Sequence, residues 1–279
     1  MDIRQQINEA LNTLHVKKPL VHHITNYVTV NDCANVVLAI GASPVMADEI
    51  KEVGDMVSIC NALVLNIGTG NERTLLSMIE AGKVANAKNI PVLLDPVGIG
   101  ATPFRFESVS TLLKEVKFSV IRGNMAEIKT IAGLEAKSSG VDSLDDESDG
   151  VKIAKALALK LACTIAITGK TDIVSDGIQT YELNNGDINL TKVTGTGCMT
   201  SSLIGSFLGA NNNPLISAIA GIWSMSIAGE NATCKLKSGE GIGSFKVYLM
   251  DAMSDMSGDI FDEKGKIVLA NQLKLLFNI

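Results

Sequence analysis

Four short runs of β-branched and aliphatic residues, at 62–67, 91–94, 118–121 and 163–168, are each bounded by Gly, Pro or Asn and read as buried strands. Between them, residues 72–88, 107–116, 125–132 and 151–161 place apolar side chains at helical spacing. Parallel strands need a crossover of a dozen or more residues, usually a helix, so this alternation predicts an α/β fold. The expected architecture is a central, mostly parallel sheet with helices on both faces. Residues 172–183, with a turn at Asp176-Gly177, read as a hairpin adding antiparallel strands at one edge. Beyond that hairpin the chain is expected to be almost wholly helical. A length of 279 residues suits a single domain over 1–279.

Composition removes several function classes. The formal net charge is -6, and no run of Lys and Arg offers a local patch for nucleic acid. Residues 1–14 carry helical periodicity rather than a basic start and an apolar core, so nothing marks them as a leader. The stretch most like a membrane span, 215–229, is shorter than the roughly 20 residues a bilayer needs. It also contains Ser217, Ser224 and Ser226, and reads as a buried helix. The five cysteines are widely spaced and include no C-x-x-C pair, which argues against disulfides or structural zinc and for a reducing cytoplasm. The acidic segment 138–150 reads as a solvated surface loop.

In open α/β sheets ligands collect beyond the carboxyl ends of strands, and the unusual residues lie just there. Asn66-Ile67-Gly68-Thr69-Gly70, Asp95-Pro96-Val97-Gly98, Arg122-Gly123-Asn124 and Thr168-Gly169-Lys170 each follow a run. A fifth cluster, Thr194-Gly195-Thr196-Gly197-Cys198, opens a long apolar helix. Two glycines there let the backbone turn tightly and aim free N–H groups of a helix start at one point, which attracts an anion. An ordinary Gly-rich turn before a helix has the same local appearance. Two nucleotide motifs are excluded by counting. A Walker loop ending at Gly169-Lys170-Thr171 needs Gly at position 164, which is Thr164, and a dinucleotide fingerprint from Gly68 and Gly70 needs Gly where Arg73 stands.

Asp95 is placed to hold a cation or take a proton, or else to cap the turn at Pro96. Glu127 follows Asn124 by three residues and reaches the same face of a helix start, so the two acids are candidate Mg²⁺ ligands. Asn124 equally suits a helix cap, and Arg122 suits either a phosphate clamp or a surface cation. His22-His23 with Cys198 as nucleophile raises a cysteine-hydrolase reading, although paired histidines at the end of an apolar segment more often make core hydrogen bonds.

In this order the clusters resemble the ribokinase superfamily, in which an N-x-x-E motif organises Mg²⁺ and a G-x-G-D turn binds phosphate and supplies a base. Asn124-Met125-Ala126-Glu127 matches the first motif, and Gly195-Thr196-Gly197-Cys198 matches the second except for Cys198 in place of Asp. That exchange is a signature of the hydroxyethylthiazole kinase family. The chain also resembles that family in His23-Ile24-Thr25-Asn26, Gly41-Ala42-Ser43-Pro44, Met46, Asp95-Pro96-Val97-Gly98 and Arg122-Gly123-Asn124, over residues 19–245.

The resemblance implies a homotrimer with sites between subunits, ATP with Mg²⁺ as donor, and 5-(2-hydroxyethyl)-4-methylthiazole as acceptor. It further implies that Asn26, Met46 and Gly68 line the thiazole pocket, with Gly195 near the hydroxyethyl arm. Arg122 and Thr168 would contact ATP, and Asp95 and Glu127 would organise the metal. Gly195, Thr196, Gly197 and Cys198 would form an anion hole, with Cys198 as the catalytic residue. Two alternatives remain: a hydroxymethylpyrimidine or pyridoxal kinase, expected to carry Asp at 198, and a binder without turnover. A pure binder has no need of Asp95, Arg122, Asn124 and Glu127 together.

Overall fold

The computed structural model describes residues 2–139 and 150–270. In chain order the first half runs α1 (Ile3–Lys17), β1 (Leu20–Ile24), α2 (Val30–Ala39), β2 (Ser43–Met46), α3 (Val53–Ser58), β3 (Ala62–Asn66), α4 (Glu72–Ala87), β4 (Val92–Asp95), α5 (Pro103–Glu115), β5 (Val120–Asn124) and α6 (Met125–Ser139). Then follow α7 (Gly150–Leu161), β6 (Thr164–Thr168), β7 (Asp172–Ser175), β8 (Thr180–Leu183), a 3-10 turn (Ile188–Lys192), α8 (Thr196–Ala210), α9 (Pro214–Lys235), α10 (Ile242–Ser254), α11 (Gly258–Lys264) and β9 (Ile267–Leu269).

The strands form one sheet in the order β2-β1-β3-β4-β5-β6-β7-β8-β9. Pairing is parallel from β2 to β6 and antiparallel from β6 to β9. The sheet is therefore mostly parallel with an antiparallel edge, as the sequence predicts. Side chains alternate faces along each strand, so Ala62 and Val64 of β3 join one apolar core while Leu63 and Leu65 join the other. β4 and β6 split in the same way, and both faces are covered by helices, which is why these strands read as unbroken apolar runs.

Three strands escape the sequence reading. β1 is Leu-Val-His-His-Ile, and its two histidines interrupt the apolar pattern although both rings are buried. β2 contains Pro44, which a ladder tolerates on an edge strand, and β2 is the edge. β9 is only three residues long and is the one strand in the stretch after the hairpin, which is otherwise almost wholly helical as expected among the described residues. The hairpin itself forms as expected, with Gly177 at φ 90 and Asp176 Oδ1 accepting the N–H of Ile178 and of Gln179. α5 begins a turn earlier than its apolar spacing suggests, because Thr102 caps it and Pro103 occupies the first helical position. Residues 140–149, most of the segment read as a surface loop, lie outside the described residues.

The 215–229 stretch lies within α9, capped by Asn213 and buried for most of its length. Among the described residues no helix is long and apolar enough to cross a membrane. α8 lies unusually close to the sheet: a Cβ on Gly205 would stand 2.4 Å from Val64 Cγ2, so only glycine fits. That close approach brings the start of α8 over the carboxyl ends of β1, β3 and β4.

Candidate active site

Asn66 and Asp95 are the last residues of β3 and β4 and stand in register across that pair of strands. Asn66 Nδ2 donates to Asp95 Oδ2 at 2.8 Å and to Cys198 Sγ at 3.2 Å. Asn26, two residues beyond β1, donates through Nδ2 to Asn66 Oδ1 at 3.1 Å and to Cys198 Sγ at 3.3 Å. Its own Oδ1 accepts from the backbone and hydroxyl of Thr29, both at 3.0 Å, which fixes the orientation of the amide. Ser201, three residues after Cys198 on α8, donates to Asp95 Oδ2 at 2.8 Å. Gly68 N–H donates to Asn66 Oδ1 at 2.9 Å, which ties the loop after β3 to the same cluster.

α8 begins without a side-chain cap. Gly195 holds φ 85, and a Cβ there would meet Thr29 Cγ2 at 2.4 Å, so glycine is required on both counts. The first backbone bond of the turn runs from Met199 N to Gly195 O at 2.8 Å. The preceding N–H groups of Thr196, Gly197 and Cys198 have no acceptor among the described residues, as the orphan donors of a helix start. Arg122 rises from β5 beside them. Its Nη2 donates to Thr168 Oγ1, and Nη1 stands 3.8 Å from Asp95 Oδ2. A Cβ on Gly197 would lie 2.8 Å from Arg122 Nη1, so the guanidinium packs against bare backbone. A cleft of about 720 Å³ opens from here, lined by Arg122, Thr168, Thr196 and Gly197 and walled by Ile222 and Met225.

The electrostatics follow from burial. Asp95 is fully buried and its carboxyl is pushed up to about 6. Desolvation is the larger cause; Arg122 and the Ser201 hydrogen bond pull the other way, and Glu127 adds a further upward push. Its Oδ1 is buried with no hydrogen-bond donor. Asp172, between Gly169 and Ser226, is likewise raised to about 6 by desolvation, against the Gly169 N–H bond at 2.9 Å. Burial, and then the Asp95 charge, push the Cys198 thiol upward, with smaller downward pulls from the Thr29, Asn66 and Asn26 hydrogen bonds. Both upward pushes oppose the preference for a thiolate that a helix start confers. Glu127 Oε1 accepts from Gly98 N and Oε2 from Asn124 N, each at 2.8 Å, while Asn124 Oδ1 caps Glu127 N at 2.9 Å. Asn124 is thus a helix cap as well as a motif residue.

The structure brings Asn26, Gly68, Asp95, Arg122, Glu127, Thr168 and the 195–198 turn to one end of the sheet. Met46 stands one strand further out, in register with His23, and packs against the core on the α8 face. Neither histidine pairs with Cys198: His22 Nε2 meets Ala47 O at 2.8 Å and His23 Nδ1 meets Val21 O at 3.0 Å. Burial lowers the His23 ring to about 4. These are core hydrogen bonds, and the cysteine-hydrolase arrangement is absent. Gly169 lies in the turn between β6 and β7 rather than before a helix, in accord with the rejected Walker loop. Ser201 and Thr29 were not anticipated, nor was the bridging role of Asn66. The i, i+3 spacing from Cys198 to Ser201 on one helix face is a usable signal for the first.

The hydroxyethylthiazole kinase family model matches residues 11–259. The hydroxyethylthiazole kinase of Alkaliphilus oremlandii is 58% identical over 96% of this chain and 99% of its own. The solved hydroxyethylthiazole kinase of Pyrococcus horikoshii superposes with a TM-score of 0.88 at 36% identity, covering 95% of this chain and 99% of that one. The pyridoxal kinase of Staphylococcus aureus, solved with AMP-PCP and pyridoxal, is 17% identical with a TM-score of 0.58. It covers 76% of this chain and 87% of its own, a likeness of fold alone.

Proposed function

The chain belongs to the hydroxyethylthiazole kinase family, and from that membership and the site geometry we propose that it transfers the γ-phosphoryl group of ATP to the primary alcohol of 5-(2-hydroxyethyl)-4-methylthiazole. The observation that carries this reading is the meeting of opposite needs around Cys198. Three unbonded N–H groups at the start of α8 and the Arg122 guanidinium offer positive potential to phosphate. The Asn26 and Asn66 amides fix the sulfur at the place where an alcohol would arrive.

In this reading Gly195, Thr196, Gly197 and Cys198 form the anion hole, and Arg122 and Thr168 bind the nucleotide phosphates on the cleft side. Asn26, Gly68 and Met46 line the acceptor pocket, with Gly195 beside the hydroxyethyl arm. Asp95 and Glu127 suit Mg²⁺: both offer hard oxygen, and Asp95 Oδ1 is a buried oxygen lacking a donor. Two carboxylates are few for an all-protein cage, so the ion would keep several waters and be shared with the nucleotide phosphates. Bound Mg²⁺ supplies positive charge to the phosphate oxygens.

The Cys198 thiol positions the alcohol and tolerates late proton loss, because a loose phosphoryl-transfer transition state demands little deprotonation of the nucleophile. The homotrimer implied by the family is supported by Tyr27 and Val28, which follow Asn26 and are 77% and 58% exposed. Apolar side chains left bare beside an acceptor pocket fit a neighbouring subunit.

The test is to incubate the protein with ATP, Mg²⁺ and the thiazole alcohol, with hydroxymethylpyrimidine and pyridoxal in parallel, and to follow products by mass spectrometry. Thiazole phosphate that depends on Mg²⁺ is expected. Phosphorylation of another alcohol alone would refute the acceptor, and tight thiazole binding with no product would refute catalysis.

A further inference from the structure

Arg105 sits on the first turn of α5, and the reaction proposed above makes no use of it. Its guanidinium nonetheless holds two of the loops that build the site. Nη1 donates to Val97 O at 2.5 Å and reaches Ile67 O at 3.4 Å, and Nη2 donates to Gly68 O at 2.6 Å. Three carbonyls from these two loops converge on one half-buried cation, which is paired with no carboxylate among the described residues. Gly98 adopts φ 67 beside it, and a Cβ there would stand 3.3 Å from Nη1.

Both loops continue directly into the site. From Gly68, the N–H reaches Asn66 Oδ1, and the Asn66 amide reaches Asp95 and Cys198. From Gly98, the N–H reaches Glu127 Oε1 at 2.8 Å. We infer that Arg105 is a positioning residue: its planar fork sets the gap between the acceptor loop at Gly68 and the loop at Gly98 that orients Glu127. Lysine cannot replace it, because an ammonium lacks the rigid planar fork needed to bridge these carbonyls. Phosphoryl transfer depends almost wholly on placement, so an error of an ångström between these loops carries a large kinetic effect.

The inference rests on the kinase reading, and the test separates the two. R105K, R105M and R105A are assayed beside the wild type with the thiazole alcohol, ATP and Mg²⁺, with melting curves for each. The expected result for R105M is a fall in kcat/KM for the alcohol of about 100-fold. KM for the alcohol and the Mg²⁺ needed for half-maximal rate both rise, while KM for ATP stays within about twofold, since Arg122, Thr168 and the 195–198 turn are held by other elements. R105A is expected to recover part of its rate with added guanidinium ion. R105K keeps the charge and reports the same split if R105M does not fold. Wild-type kinetics in the variants, or a loss shared equally by alcohol and ATP with no guanidinium rescue, overturns the inference. A wild type that phosphorylates no alcohol overturns the kinase reading instead.

Discussion

Asp95→Asn should make the protein more stable at neutral pH and nearly inactive. The side chain is fully buried, and its folded-state carboxyl is raised from 3.8 to about 6. A carboxyl raised on folding favours the folded state only while protonated, so its contribution is complete below about pH 4 and is lost as pH climbs to about 6. At pH 7.5 the charged form costs about 3 kcal/mol relative to a neutral isostere, from a shift of about two units at 1.36 kcal/mol each. The shift already contains the attraction of Arg122, so no separate correction is due. Asparagine can point its oxygen at the Asn66 and Ser201 donors and its NH₂ at the unpartnered Oδ1 position. The assay is thermal or urea unfolding of both proteins across pH. A gain of about 6–10 °C is expected at pH 7.5, about halved at pH 5, down to about a fifth at pH 4 and gone near pH 3, with kcat/KM down about 100-fold or more. A lower melting point at pH 7.5, or a gain that does not change with pH, would refute the electrostatic account of Asp95.

Cys198→Asp keeps acceptors for the Asn26 and Asn66 amides and should remain active within about tenfold, whereas Cys198→Ala should lose about tenfold by removing the group that seats the alcohol; an inactive, well-folded Cys198→Asp would contradict this. Gly197→Ala drives a methyl to 2.8 Å from Arg122 Nη1, and steady-state kinetics should show kcat down about 100-fold with ATP binding weakened and the melting point little changed. Gly221→Ala meets the Ile204 side chain and, with no room to yield, its backbone, Cγ1 and N both at 2.6 Å, and should cost about 3 kcal/mol in urea unfolding by parting α9 from α8.

Most of the fold was legible because the central strands are buried on both faces and the helices between them keep a clear apolar stripe. What was not legible has a local cause in each case. His22 and His23 look polar in sequence, yet each satisfies a ring nitrogen on a backbone carbonyl and leaves the other bare, so β1 is hidden by letters that its burial contradicts. Pro44 argues against a strand unless the strand is known to be an edge. At the site, the glycine clusters and the acids were found because they sit just after strands. Asn66, Ser201 and Arg105 acquire meaning only from register and crossing: Asn66 opposite Asp95, Ser201 one helical turn beyond Cys198, Arg105 folded back over two loops. Spacing within one element could have flagged Ser201 beside Cys198, but it encodes neither the Asn66–Asp95 register nor the reach of Arg105 across two loops.

The polar groups of this site are left unsatisfied in a complementary way. Asp95 Oδ1 has no donor, Arg122 Nε has no acceptor, and three N–H groups at the start of α8 have no acceptor among the described residues. They do not satisfy one another: Arg122 Nη1 stands 3.8 Å from Asp95 Oδ2, an ion pair beyond hydrogen-bond length, while Nη2 is spent on Thr168. A site shaped for stability alone would close that gap into a hydrogen-bonded ion pair, or replace the charges with apolar packing of the same volume. In the reading proposed above, holding the two charges close without a hydrogen bond would keep an acceptor free for a cation and donors free for an anion. That is the arrangement phosphoryl transfer requires before its substrates arrive.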